Sequence, residues 1–187
     1  MSRFFLIASA FVVAPPAALP AQHFALRHPV DYHTALDDNA ATALNRRLVA
    51  GELTLDPAGP SGRLRALLAA LGIPESSQVL VFSKTSLQRH RISPRSPRAL
   101  YFGRDAYVGW VPGAAALEVA VSDPMLGLVF YTVPQRPDVE PRLRRDDSCL
   151  SCHASSRTDD EPGLLLRSVF PDAQGDPIAS AGETRVT

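Results

Sequence analysis

Proline is the strongest constraint on how this chain can fold. Seventeen prolines are spread through 187 residues, against 11 glycines. A proline inside a helix removes one backbone donor and clashes with the preceding turn. A long-helix bundle is therefore excluded, and short elements joined by many turns are expected. With 45 % hydrophobic and 20 % charged residues, the chain has enough apolar material for one packed domain. Basic and acidic side chains balance at 19 each. A chain without net charge has no overall field to gather nucleic acid, and none is expected as a partner.

The first residues follow the order of a secretory signal peptide. Arg3 gives a positive start, Phe4 to Val13 is an apolar run, Pro15 and Pro16 break it, and Ala17 to Ala21 supplies small residues for cleavage. Residues 1–21 are read as the signal peptide and 22–187 as one mature domain, exported to the periplasm. No later segment approaches the roughly 20 apolar residues of a membrane span. No integral membrane segment is expected once the leader is gone.

Within 22–76 the periodicity predicts two helices. Ala35 to Leu53 carries Leu36, Ala40, Ala43, Leu44 and Leu48 on a helical period, and Gly51 marks its end. Ser61 stands as a cap before Leu64, Leu67, Leu68 and Leu71, with Gly72 and Pro74 as stops. From 77 to 134 the pattern changes to short apolar runs between turn residues. Val79 to Phe82 reads as a buried strand. Leu100 to Phe102, Tyr107 to Val111, Leu117 to Val121 and Leu126 to Val133 read as further strands. The expected fold is α+β, an N-terminal helical hairpin packed on an antiparallel β-meander. A loop-rich haem-binding segment over 135–187 follows, with Leu164 to Phe170 as a last strand before a polar tail.

The chain has two cysteines, and both fall in Cys149-Leu150-Ser151-Cys152-His153. This C-x-x-C-H run is the attachment pattern of c-type haem. Two thiols must each meet one vinyl group on one edge of the ring. Two intervening residues let a short helical turn present both sulfurs, and His153 then lies under the iron as proximal ligand. The export signal agrees, because covalent haem attachment in bacteria takes place outside the cytoplasm. A structural zinc site would need a fourth ligand, and no second Cys/His pair supplies it. A Cys149–Cys152 disulfide stays open as a non-haem reading. For the sixth iron position Met125 is the first candidate and His90 the second, with His23, His28 and His33 in the lead-in less suited. A five-coordinate iron is the other possibility.

The stretch Ser77 to Ser86, with Ile92-Ser93-Pro94, Pro97 to Phe102 and Tyr107-Val108-Gly109, resembles the family of exported bacterial cytochrome c domain-containing proteins. The likeness continues through Asp147 to His153, Pro162-Gly163-Leu164 and Arg167 to Asp172. It implies one covalent haem c, with Cys149 and Cys152 as attachment residues and His153 as axial ligand. Members of that family continue beyond this point with aromatic and histidine-containing segments. The chain is thus expected to be a shortened or truncated member.

Three functions follow. The first is an exported monohaem c-type cytochrome that exchanges electrons with redox partner proteins, more a carrier than a catalyst. The second is a haem enzyme or sensor with an open iron position. The third is an exported non-haem binding module. No nucleophilic triad or phosphate-binding glycine loop is legible, and Ser83-Lys84-Thr85-Ser86 reads as a strand end.

Overall fold

The computed structural model describes residues 31–186. The signal-peptide residues, His23 and His28 lie outside them. Six strands form one antiparallel sheet in chain order: β1 (Val79–Val81), β2 (Arg98–Phe102), β3 (Ala106–Trp110), β4 (Ala116–Asp123), β5 (Gly127–Pro134) and β6 (Arg144–Arg145). β4 and β5 make the longest pairing, from Ala116↔Pro134 to Asp123↔Gly127. β7 (Leu166–Val169) and β8 (Glu183–Val186) form a separate two-stranded ladder.

Strand alternation divides the large sheet into two faces. The inner face carries Tyr101, Val108, Leu117, Val119, Val121, Val129, Tyr131 and Val133, all buried. It shares a core with α1 (Ala40–Val49) and α2 (Leu64–Ala70) through Ala41, Leu44, Leu64, Leu67 and Leu68. The outer face carries Arg98, Leu100, Phe102, Tyr107, Gly109, Glu118, Ala120 and Phe130. Leu100, Phe102, Tyr107 and Ala120 are half-buried, so this face is only partly covered.

The expected α+β arrangement is overturned. The protein is mostly an antiparallel sheet with a few short helices, and no helical hairpin forms. Asn39 explains where α1 starts. Its side chain accepts from the N–H groups of Ala41 and Thr42, and Thr42 Oγ1 accepts from the Asn39 N–H. That capping box fixes the start five residues later than the periodicity suggested, and leaves Leu36 93 % exposed. Residues 50–63, with Pro57, Gly59, Pro60 and Gly62, separate α1 from α2. Ser61 lies in a short 3-10 turn and caps nothing in α2. Helices of ten and seven residues are too short to hold alone and depend on the sheet.

Two further expectations change. β1 is an exposed edge strand, not a buried one, with Val79 51 % and Leu80 45 % exposed. The segment expected to be loop-rich contributes two strands beyond the one expected at Leu164 to Phe170, which is β7. Arg144–Arg145 pairs with Tyr131 and Thr132 as the sixth strand, and the polar tail supplies β8. No helix among the described residues is long and apolar enough to cross a membrane.

Candidate functional site

β6 leads straight into the C-x-x-C-H run. Asp146 N donates to Phe130 O at 2.9 Å, which holds the chain against β5 as it leaves the sheet. Asp146 Oδ1 then accepts from Ser148 N at 3.1 Å and from Ser148 Oγ at 2.5 Å. This starts a 3-10 turn at Asp147–Cys149 that passes without a break into α3 (Leu150–His153). The motif therefore occupies one short helical segment. Leu150 is its anchor, 2 % exposed and part of the main core.

Upstream residues clamp the same turn. The Arg145 guanidinium lies 4.4 Å from the Tyr32 ring centroid and donates to the carbonyls of Tyr32 and Ala35. Its Nε donates to Asp147 Oδ1 at 3.1 Å, and Asp147 Oδ2 meets His33 Nδ1 at 2.9 Å. His33 thus sits beside the motif while staying exposed, as expected for the lead-in.

Both cysteines are free thiols. Cys152 is exposed. Cys149 is half-buried against the core, and burial pushes its thiol up to about 12. Asp146 and Glu118 add to that rise, while Arg98 opposes it. A dithiol redox site needs the reverse, a thiol held near or below neutrality.

His153 is positioned from two sides. Its ring rests on Phe130, with centroids 4.7 Å apart and planes tilted by 38°. Its Nδ1 lies 2.9 Å from Gly163 O. A carbonyl can only accept, so Nδ1 carries the proton and Nε2 the lone pair. Nε2 makes no hydrogen bond among the described residues and is not sealed from solvent. Burial lowers the pKa of the ring, against a smaller opposing effect of the Gly163 bond, so the imidazole is neutral near pH 7. The loop that supplies Gly163 is closed by Gly163 N donating back to His153 O at 2.9 Å. Between these two bonds the chain turns through Asp159 and Asp160, both left-handed with φ of 55° and 60°.

A histidine in this state can serve as a hydrogen-bond acceptor or as a metal ligand. The proton is fixed on one nitrogen by a backbone carbonyl and the other nitrogen is left with a free lone pair. No three or more His, Cys, Asp or Glu side chains come together as an ion cage among the described residues. Cys149, Cys152 and His153 are spread along one helical turn, unlike the tetrahedral cluster of a structural zinc. Two thiols and one imidazole on a single helical segment are the donor set that a covalently attached haem would require.

The two distal candidates are placed elsewhere. Met125 is 63 % exposed at the tip of the β4–β5 hairpin, with its N–H held by Asp123 Oδ1 at 3.0 Å. His90 is in an exposed 3-10 turn, Arg89–Arg91, lining a cleft of about 500 Å³ with Lys84, Arg95 and Gln174. No hydrogen bond or ring contact joins either to His153 among the described residues.

Sequence reasoning did not single out Phe130, Gly163, Arg98 or Glu118. The Arg98–Glu118 ion pair closes at 2.5 Å across Gly109 on the outer face, and its charges reach both Cys149 and His153. A carboxylate between Leu117 and Val119 was a legible signal, because alternation places it opposite the core. No protein-family model, no curated protein and no solved structure matches the chain.

Proposed function

We propose that the protein is an exported monohaem c-type cytochrome that passes electrons to redox partners in the periplasm. The observation that carries this reading is His153. Its Nδ1 proton is directed to Gly163 O and its Nε2 lone pair is uncommitted, beside two free thiols on the same helical turn.

Cys149 and Cys152 would hold the haem through thioether links, each S–H adding across one vinyl C=C to give one C–S and one C–H bond with no net transfer of electrons. His153 Nε2 would bind the iron, and the Gly163 carbonyl raises its donor strength through the Nδ1 hydrogen bond. The Phe130 ring fixes the imidazole plane, and Leu150 holds the turn against the core. Bound haem would supply a one-electron iron couple.

A second reading has specific support. Met125 is 63 % exposed and His90 lies in an exposed turn; an iron that neither reaches would keep an open sixth position and make the protein a haem enzyme or sensor. Carbon monoxide separates the two: the reduced spectrum of a six-coordinate carrier ignores the gas, whereas that of an open iron shifts.

The test is expression with the haem c attachment machinery. The expected product is coloured and keeps its haem on a denaturing gel. The Cys149→Ser plus Cys152→Ser variant should be colourless under the same conditions. A colourless wild-type product would end the haem reading.

A further inference from the structure

The outer face of the sheet and Arg98 point to how the ring is held. This rests on the haem reading above. Phe102, Tyr107, Ala120 and Phe130 are directly paired across β2, β3, β4 and β5, so they form one straight row. Phe102 and Tyr107 pack edge to face at 5.8 Å at one end, and His153 lies on Phe130 at the other. Between them Ala120 is small, and in the next row Gly109 has no side chain. The result is an apolar strip three strand spacings or roughly 14 Å long, half-buried at Phe102, Tyr107 and Ala120 and covered at Phe130 by His153.

Arg98 lies along this strip. Its guanidinium crosses over Gly109, where an added Cβ would stand 2.7 Å from Nη2. It pairs with Glu118, which also accepts from Ser86 Oγ at 2.7 Å. That leaves Arg98 Nε buried and without a partner among the described residues. A buried guanidinium donor left unpaired is costly, and an incoming carboxylate would satisfy it. Haem brings two propionate carboxylates on an apolar ring, which matches an apolar strip with a donor at its margin.

We propose that the outer face, from Phe130 to Phe102, is the wall on which the haem ring lies, and that Arg98 binds a propionate. Arg98 acts here as a positioning residue, and Glu118 keeps its side chain across Gly109.

The experiment compares wild type, Arg98→Leu and Arg98→Lys after expression with the attachment machinery. Intact mass first scores haem on each chain. Resonance Raman of the haem-loaded forms then reads the propionate bending bands, and redox titration reads the midpoint potential. The expected result is a shift of one propionate band and a lower potential in Arg98→Leu, because a cation near the haem is lost. Arg98→Lys should restore most of the potential but not the band, since one ammonium cannot reproduce the guanidinium fork. Bands and potential unchanged in haem-loaded Arg98→Leu would overturn the proposal while leaving the cytochrome reading intact. If Arg98→Leu fails to fold, unchanged bands in Arg98→Lys overturn it equally. Absence of haem from the wild-type chain would overturn the reading beneath it.

Discussion

The two residues inside the C-x-x-C-H run have opposite fates, and that contrast tests how the motif is held. Leu150 is 2 % exposed and belongs to the main core. Ser151 is exposed and uses its hydroxyl only to reach Ser148 O at 2.8 Å. Leu150→Ala deletes three carbons, a transfer loss of about 2.4 kcal/mol at ~0.8 kcal/mol each. The site is buried in the main core and can collapse only in part, so a cavity term brings the total to about 3 kcal/mol. Ser151→Ala removes an exposed hydrogen bond and should cost about 0.5 kcal/mol or less. Urea unfolding of the haem-free proteins reads both, with the midpoint falling and the slope unchanged. In thermal melts the leucine variant should lose roughly 6–12 °C. If Leu150→Ala comes within about 0.5 kcal/mol of Ser151→Ala, the motif is not anchored through the core and the account of the site fails.

Three other outcomes follow from the same geometry. Iodoacetamide near pH 7.5 should modify exposed Cys152 well before Cys149, whose thiol burial holds at about 12; peptide mapping showing Cys149 labelled first would contradict this. Burial lowers the His153 pKa, so the unfolded chain takes up that proton first as pH falls. Stability of the haem-free protein should therefore decline below about pH 6.5, with a His153 share of at most ~1.4 kcal/mol per pH unit. Urea midpoints across pH 5 to 7 should show a shallower slope for His153→Gln, and an identical slope would refute the assignment. Asn39 caps α1 and donates to Asp123 Oδ2 at 3.1 Å and Tyr131 Oη at 2.8 Å. Asn39→Ala should cost about 2–3 kcal/mol in urea unfolding, and a loss below 1 kcal/mol would show the network is dispensable.

The strands were legible where the chain alternates or runs apolar between turns. Leu117 to Val121 falls within β4 and Leu126 to Val133 matches β5 to within a residue, because their side chains must reach a core on one face. β6 and β8 were not legible, since Arg144–Arg145 and Glu183–Val186 join their ladders through backbone groups that sequence does not mark. The helices were misjudged for another reason. Periodicity counted Leu36 as core, but the Asn39 capping box starts the helix only after it, and Pro57 and Pro60 keep α1 and α2 apart. In the site, Cys149, Cys152 and His153 announced themselves by spacing. Gly163 and Phe130, which orient His153, are ordinary residues until the loop closes and the strand pairs. The Arg98–Glu118 bridge over Gly109 depends on the register of three strands, which no local pattern reveals.

The central claim is that Cys149, Cys152 and His153 carry one covalent haem. Intact mass spectrometry of the mature protein, made with the attachment machinery present, tests this most directly. The account predicts a polypeptide heavier by about 616 Da, whereas a disulfide would make it lighter by about 2 Da. A mass equal to the bare chain, or lighter by that disulfide, would contradict it.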